Sequence, residues 1–249
     1  MYKALSIRVA QGEPAIKDVE NVKLPDLFRG MPRLDSSKCR EGCTECAKKC
    51  PNGAILTNPL RIDLGKCSFC AACSEACPPG AIGFTAEYHM AASSREQLIV
   101  GEGDLVIKPE VASEKIRKYF KKSLKLRQVS AAGCNGCELE LNALGNVNFD
   151  MGRYGIEFVA SPRHADGIVI TGPISKAMSK ALYDTYLAVP DPKIIICFGT
   201  CAISGGIFQD STEIDRSFLD KYKADLYIPG CPPHPLTFIT GLLSWLDRR

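Results

Sequence analysis

The spacing of the cysteines constrains this 249-residue chain more than any other feature. Twelve of the thirteen cysteines form three sets of four, two of them compact and the third dispersed. The sets are Cys39, Cys43, Cys46 and Cys50; Cys67, Cys70, Cys73 and Cys77; and Cys134, Cys137, Cys201 and Cys231. Thiolates at this density are typical ligands of soft, polynuclear metal centres. We therefore predict three iron–sulfur clusters, which together would conduct electrons.

Length and composition favour a reducing environment. A chain of 249 residues builds its own core without disulfides. The odd cysteine count, the clustering and the lack of an apolar leader after Met1 argue against an oxidised scaffold. No run approaches the roughly 18–20 apolar residues that span a bilayer, so we expect a soluble protein. The formal charge of +3 does not indicate nucleic-acid binding, because twelve thiolates and three clusters of about 2+ bring the total to about −3.

Residues 38–83 contain an internal repeat that predicts how the first eight cysteines are shared. Lys38-Cys39 recurs as Lys66-Cys67, and Cys50-Pro-Asn-Gly-Ala-Ile55 recurs 27 residues later as Cys77-Pro-Pro-Gly-Ala-Ile82. The second run has the bacterial ferredoxin pattern, in which the fourth cysteine of each run ligates the other cluster. This segment resembles a two-cluster ferredoxin domain. We predict one cluster on Cys39, Cys43, Cys46 and Cys77, and another on Cys67, Cys70, Cys73 and Cys50.

Two alternatives are considered for these eight cysteines. Three residues, rather than two, separate Cys39 from Cys43, and a three-iron form of the first cluster is compatible with that longer loop. A zinc ribbon is disfavoured, because zinc sites usually use two separated C-x-x-C knuckles.

From Lys125 onward, short apolar runs alternate with helical segments. The expected strands are Leu126–Ser130, Ile156–Ala160, Ile168–Thr171, Ile194–Gly199 and Leu226–Ile228, and the expected helices lie near Glu138–Leu144, Lys176–Ala188 and Leu236–Leu246. Continuous apolar runs suit a parallel sheet that is covered on both faces. We predict an α+β ferredoxin-like domain (1–100), a basic linker or helix (101–124) and an α/β flavodoxin-like, doubly wound parallel-sheet domain (125–249).

This sheet explains the dispersed third set. In doubly wound sheets, ligands bind beyond the carboxyl ends of the strands. Cys134 and Cys137 follow the first expected strand, Cys201 follows the fourth and Cys231 follows the fifth. We therefore predict that these four thiolates converge at one edge of the sheet.

Basic charge is concentrated in Ser113–Arg127, where seven cations accompany one acid, Glu114. If this segment is a helix, Ile116, Phe120 and Leu124 form an apolar stripe at intervals of four residues. A solvated helix face is favoured over a docking surface for lipid headgroups or an acidic partner.

Five ordered motifs resemble one family, the small subunit of membrane-bound, energy-converting nickel–iron hydrogenases, which is related to the cluster-bearing small subunit of complex I. Residues 1–100, with Phe28-Arg-Gly-x-Pro32, resemble the two-cluster ferredoxin-like subunit of the same complexes. Complex I small subunits place two adjacent cysteines at the first ligand position, so the C-x-x-C of Cys134 and Cys137 favours the hydrogenase branch. The motifs are Gly133-Cys-Asn-Gly-Cys-Glu138-x-Glu140, Ser161-Pro-Arg-His-Ala-Asp166, Thr171-Gly-Pro173, Gly199-Thr-Cys-Ala-x-Ser-Gly-Gly206 and Gly230-Cys-Pro-Pro-His-Pro235.

The resemblance implies an electron-transfer subunit of an oxidoreductase that performs no bond chemistry itself. Electrons from a soluble ferredoxin, or from a formate or carbon monoxide module, would pass through three 4Fe-4S clusters. The third, proximal cluster would lie beside the nickel–iron site of a large subunit for reversible hydrogen evolution. Membrane-arm subunits are further implied partners, and the implied location is the cytoplasmic face of the membrane, where the chain would be peripheral. The alternatives are a complex I-like or sulfane-reducing subunit, and a free-standing polyferredoxin.

A few residues outside the ligand sets are also candidates. Glu138 either complements a helix dipole or serves as a proton relay or interface group beside the third cluster. Arg163 and His164 are candidates for tuning the potential of that cluster. The alternative for Arg163 is a structural salt bridge. We expect His234 to be a surface residue of a proline-rich turn, and Cys197 to be a buried core thiol.

Overall fold

The computed structural model describes residues 2–13 and 15–248. An exposed helix, α1 (Tyr2–Gln11), comes first. The next elements are β1 (Pro32–Leu34), α2 (Glu45–Lys49), β2 (Ile55–Thr57), β3 (Leu60–Asp63), α3 (Ala72–Glu75), β4 (Ile82–Phe84) and β5 (Ile99–Val100). β1 pairs antiparallel with β4, and β3 pairs antiparallel with both β2 and β5. α2 and α3 begin 27 residues apart, as do β2 and β4, so the sequence repeat is also a structural repeat.

The second half of the chain is an α/β domain. Its elements are α4 (Glu114–Tyr119), β6 (Leu124–Ser130), α5 (Gly136–Ala143), β7 (Ile156–Phe158), β8 (Gly167–Thr171), α6 (Lys176–Ala188), β9 (Ile194–Phe198), α7 (Thr200–Ser204), α8 (Ser217–Lys221), β10 (Leu226–Ile228) and α9 (Pro235–Trp245). The five strands form one parallel sheet in the order β10-β9-β8-β6-β7. The predicted strands and the predicted parallel sheet are therefore confirmed.

Side chains of β8 and β9 alternate between two cores, one on each face of the sheet. One core holds Ile168, Ile170, Ile195 and Cys197, and the other holds Val169, Ile194, Ile196 and Phe198. The first core also contains Met31, Ile62 and Leu98, so the cysteine-rich segment packs directly against the sheet. The second core contains α9, in which ten of eleven residues are buried. No helix in the described part of the chain combines the length and apolar character that crossing a bilayer requires.

The segment Ser113–Arg127 does not form the single helix that was considered as one possibility. Helix α4 ends at Tyr119, and Leu124 begins β6. Leu124 pairs with Ile156 of β7, and Leu126 pairs with Gly167 of β8. Both leucines are fully buried in the sheet. Strand pairing and core burial therefore outweigh a helical stripe that has only one apolar residue per turn.

Candidate iron–sulfur sites

The first set of thiols is assembled from both cysteine runs. Cys39, Cys43 and Cys46 line one open cavity of about 780 Å³ together with Cys77 from the second run. Burial raises the pKa of the Cys39 thiol, and the neighbouring Cys77 and Cys43 raise it further. Burial likewise raises the pKa of Cys46, and Cys77 again contributes. The structure thus brings together the four residues of the crossed arrangement, with Cys39 and Cys43 exposed to solvent.

The second set is crossed in the same way and lies deeper. Burial raises the pKa of Cys67 to about 12, and Cys73, Cys50 and Cys70 act in the same direction. Burial raises the pKa of Cys73 to about 11, and Cys50 and Cys70 contribute again. Cys50 of the first run therefore stands beside the first three cysteines of the second run. Cys67 and Cys73 are both buried.

Backbone amides point at several of these sulfur atoms. The amide of Ala54 donates to Cys50 Sγ at 3.3 Å, and the amide of Ala81 donates to Cys77 Sγ at 3.4 Å. These two bonds occupy equivalent positions in the repeat, four residues beyond the fourth cysteine of each run. Hydrogen bonds to a sulfur stabilise its negative charge, and around a cluster they raise the reduction potential.

The third set gathers at the carboxyl edge of the parallel sheet. Cys134 and Cys137 follow β6, Cys201 lies in α7 directly after β9, and Cys231 follows β10. Burial raises the pKa of Cys137, and Glu138, Cys201, Cys231 and Cys134 act in the same direction. Burial raises the pKa of Cys201 to about 11, with Cys231 and Cys134 contributing.

Two glycines leave room for the sulfur atoms of the third set. Gly199 has φ +93°, and a Cβ at this position would lie only 2.6 Å from Cys137 Sγ. Gly206 has φ +57°, and its Cβ would lie 3.0 Å from Cys201 Sγ. Any larger residue at Gly199 would therefore occupy space that a ligand sulfur needs.

The chemistry of the three sets fits clusters. All thirteen cysteines are free. Burial and mutual repulsion disfavour thiolates in the protein alone, whereas bound iron supplies the positive charge that stabilises them. No three His, Cys, Asp or Glu side chains within residues 2–13 and 15–248 converge tightly enough to hold a single metal ion. A polynuclear cluster spreads its ligands around a larger body, so its cysteines lie farther apart than those of a single ion.

The second set lies next to the third. Cys70 raises the pKa of Cys231, although burial and Cys134 contribute more. Thr200, the residue before Cys201, donates its hydroxyl to the backbone oxygen of Cys67 at 2.7 Å. Cys70 and Cys231 also line a shared cavity of about 350 Å³. The second set therefore adjoins the third, and the first and third sets each have two cysteines exposed to solvent.

Glu138 is buried beside the third set. Its Oε1 accepts hydrogen bonds from Ser130 Oγ at 2.7 Å and from Thr171 Oγ1 at 2.6 Å. Its Oε2 is buried and has no hydrogen-bond partner in the described part of the chain. A solvent-exposed carboxylate that only complements the dipole of α5 would not be placed in this way, so the structure favours a specific role for Glu138.

The other candidates outside the ligand sets have varied surroundings. Arg163 and His164 are exposed in the turn after β7, and within the described residues neither forms an ion pair or a side-chain hydrogen bond. The prediction that His234 is a surface residue is wrong. Its ring packs edge-on against Phe28 and Phe149, and Nδ1 accepts the Leu236 amide at the start of α9. Cys197 is a fully buried core thiol, as predicted.

Arg216 is a residue near the third set that sequence reasoning missed. Its guanidinium donates to the backbone oxygens of Ala202 and Ile203 at 2.8 Å each, and to that of Cys201 at 3.3 Å. It forms no ion pair with a carboxylate in the described part of the chain. Its positive charge acts on Cys201, where it opposes the larger effect of burial on the pKa. Nothing in the sequence around Arg216 indicates this position, because its partners are backbone atoms.

Two family models and several known proteins match parts of this chain. Residues 134–245 match the family described as NADH ubiquinone oxidoreductase, 20 kDa subunit, and residues 60–83 match the 4Fe-4S binding domain. Formate hydrogenlyase subunit 7 of Escherichia coli K12 is 40% identical over 150 residues, which cover 58% of this chain and 59% of that subunit. A probable membrane-bound hydrogenase subunit of Pyrococcus furiosus is 33% identical over 131 residues, covering 53% of this chain and 78% of the relative.

A solved chain from an archaeal membrane-bound sulfane sulfur reductase is also similar. It is 35% identical, with a TM-score of 0.46, and the match covers 53% of this chain and 73% of that one. The present chain thus spans less than two thirds of the E. coli subunit but more than three quarters of the P. furiosus subunit. It belongs to the family of the 20 kDa subunit of NADH ubiquinone oxidoreductase, the small iron–sulfur subunits of oxidoreductase complexes, and it carries a 4Fe-4S binding domain.

Proposed function

We propose that this chain carries three 4Fe-4S clusters and relays electrons within an energy-converting nickel–iron hydrogenase complex. The single observation that carries this proposal is the spatial order of the three cysteine sets. The second set adjoins the third, and the first set, which like the third is partly open to solvent, is built from the same two cysteine runs as the second. Electrons would enter from a low-potential donor at the first cluster and leave from the third. The donor would be a soluble ferredoxin or a formate or carbon monoxide module.

The proposed ligands are the twelve cysteines in the crossed arrangement. The N-terminal part would be a ferredoxin-like domain (residues 1–100), and the strand pairings β1–β4 and β2–β3 support this. The parallel sheet would be a flavodoxin-like domain (residues 125–249), and its strand order supports this, because it reads 2-1-3-4-5 when β6 is counted as the first strand. When bound, the clusters would supply one-electron redox chemistry, while the protein sets their spacing, burial and potential.

The proposed partners are a nickel–iron large subunit beside the third cluster and membrane-arm subunits of the same complex. The chain would be cytoplasmic and peripheral to the membrane. The hydrogenase branch is favoured over a complex I-like subunit by the surroundings of Gly133. A Cβ on Gly133 would lie 3.1 Å from Gly172 Cα, so the segment before Cys134 has little room for a second, adjacent cysteine.

Paired cysteine variants test the cluster assignment. Cys50→Ser should remove the second cluster and spare the first, whereas Cys77→Ser should do the reverse, although each residue lies in the other run. Iron and sulfide analysis with EPR spectroscopy should show about twelve irons in the parent chain and a different missing signal in each variant. Only about eight irons in the reconstituted parent would exclude three four-iron clusters.

The partner assignment has its own test. The native complex purified through this chain should contain nickel and should evolve hydrogen with reduced ferredoxin or another low-potential donor. A nickel-free complex that reduces sulfane sulfur or a quinone would instead assign the chain to one of the related oxidoreductases. A stable monomer with no large partner would make it a free-standing carrier.

A further inference from the structure

A strongly basic surface outside the cysteine sites is an open cavity of about 750 Å³. We call it the basic groove. It lies beside the amino ends of β6 and β7, at the edge of the sheet opposite the third cysteine set. Its lining includes two acids, Glu114 and Asp247, and six cations: Arg117, Lys118, Lys121, Lys122, Arg153 and Arg248.

The charges of the basic groove are not balanced. Glu114 pairs with Lys118 at 2.8 Å, and Asp247 pairs with Arg117 at 3.1 Å. The other four cations form no ion pair in the described part of the chain, which leaves the lining with a net charge of six minus two, or +4. Arg248 is held by backbone oxygens, including that of Tyr154 at 3.0 Å, whereas Lys121 and Lys122 are exposed. The groove is therefore organised for anionic groups.

Helix α1 adjoins the basic groove and adds an apolar component. Arg153 lines both the groove and a neighbouring cavity that Ala4 and Ile7 of α1 also line. The outer side of α1 leaves large apolar side chains uncovered, with Tyr2 90%, Leu5 57% and Val9 82% exposed. These positions recur at helical spacing, and α1 contains two cations and no acid. The linking cavity contains the cations Arg8, Lys17 and Arg153 and the acids Glu13 and Asp150, so the basic groove and α1 form one surface with a net positive charge and exposed apolar side chains.

We propose that this surface docks directly on an anionic lipid bilayer. A basic amphipathic helix enters the interface between headgroups and acyl chains, and clusters of four or more cations attract anionic lipid phosphates. Here α1 would supply the apolar contact, and the basic groove would receive lipid phosphate groups. An acidic protein surface would satisfy the groove but not the exposed apolar stripe, so the combination favours lipid. Docking this way leaves the carboxyl edge of the sheet pointing away from the membrane, free for another subunit. The proposal concerns lipid contact and does not depend on the number of clusters.

Vesicle binding by the full, cluster-loaded chain tests the proposal. Flotation would compare phosphatidylcholine vesicles with and without phosphatidylglycerol at physiological salt. The chain should bind the anionic vesicles at least about tenfold more tightly. The double variant Lys121→Gln/Lys122→Gln should weaken that binding about thirtyfold, because each cation near an anionic surface contributes on the order of a fivefold gain. Leu5→Gln/Val9→Gln should weaken binding to the same vesicles with little change in its salt dependence.

The matched control is Lys176→Gln/Lys180→Gln, which removes the same charge from exposed positions on α6. It should bind like the parent, and iron content would verify that every variant is folded. If both double lysine variants lost the same affinity for anionic vesicles, the attraction would be a nonspecific effect of charge and the proposal would be overturned. It would also be overturned if the parent chain bound neutral and anionic vesicles equally well. The proposal would also be overturned if the parent chain bound neither vesicle type while the variant Lys121→Gln/Lys122→Gln lost its protein partners. That result would assign the basic groove to an acidic protein.

Discussion

The most direct test of the third site is the substitution Gly199→Ala, which adds one methyl group against a ligand sulfur. The new Cβ would lie 2.6 Å from Cys137 Sγ, which is 0.8–1.4 Å short of the ordinary contact range of 3.4–4 Å. Alanine at the φ of +93° and ψ of 155° of Gly199 adds backbone strain of about 1–3 kcal/mol. Overpacking in a closed site costs about 1–3 kcal/mol more. Together these terms predict a loss of about 2–6 kcal/mol, concentrated at Cys137.

The chain offers a matched control for the strain at Gly199. Gly103 has φ +89°, and a Cβ there would meet nothing within 4 Å. Gly103→Ala should therefore show only the backbone term and keep all its clusters. Gly199→Ala should lose the third cluster selectively, so that iron falls from about twelve to about eight per chain while the EPR signals of the first two clusters persist.

The outcome that refutes this reasoning is equally specific. If Gly199→Ala keeps twelve irons and an unchanged third EPR signal, then Cys137 does not hold a cluster at the position described. If Gly103→Ala loses as much iron as Gly199→Ala, then backbone strain rather than contact with sulfur explains the loss.

Four further predictions concern residues around the third site. Thr200→Val should cost about 1–3 kcal/mol in chemical denaturation and slow electron transfer between the second and third clusters, because the buried backbone oxygen of Cys67 loses its donor, whereas that of Gly230 keeps the amide of residue 200. Thr237→Val should be neutral or stabilising in the same assay, since that hydroxyl is buried without a partner in the described part of the chain. Glu138→Gln should raise the third cluster's midpoint potential by on the order of 40 mV in an EPR-monitored titration, whereas exposed Glu157→Gln should not. Equal potentials in the two variants would refute an effect of Glu138 on the cluster. Arg216→Gln should lower the midpoint potential of the third cluster and destabilise the fold by about 2–3 kcal/mol. Arg216→Lys keeps the positive charge and should retain the potential. If the potential shifted equally in the two variants, the geometry of Arg216 rather than its charge would be responsible.

The sequence predicted which cysteines lie together in the structure, because their positions are specified locally. The first two sets lie in short runs whose repeat is visible, and the third set follows strands whose apolar runs are unambiguous, such as Ile194–Phe198. Convergence of Cys134, Cys201 and Cys231 then required only that parallel strands end at one edge. A local sequence pattern and one general rule of sheet topology were therefore enough to predict that these cysteines converge.

The errors arose where tertiary contacts decide the outcome. Leu124 fits a helical stripe, but the sheet buries it completely, and no local pattern reveals that competition. His234 belongs to a proline-rich turn typical of the surface, yet Phe28, about 200 residues earlier in the chain, packs against its ring. Arg216 binds backbone oxygens, which leave no trace in residue identity. Long-range packing of this kind is invisible to spacing arguments.

The shared core explains why the cysteine-rich segment and the sheet occur in one chain. Cys46, Cys67 and Cys73 belong to the same hydrophobic core as Ile168, Cys197 and Ala202 of the α/β domain. Ala92 also pairs with Tyr227 of β10 through two backbone hydrogen bonds of 3.0 and 2.8 Å. The cysteine-rich segment and the sheet are therefore joined along a strand edge as well as by side chains. Interiors this closely packed do not deform continuously. The spacing between the second and third cysteine sets is therefore fixed by folding, and an electron that reaches the second cluster would need no docking step to reach the third. A separate two-cluster carrier would have to find the same geometry by diffusion at every turnover, so covalent fusion with a common core removes the encounter from the electron path.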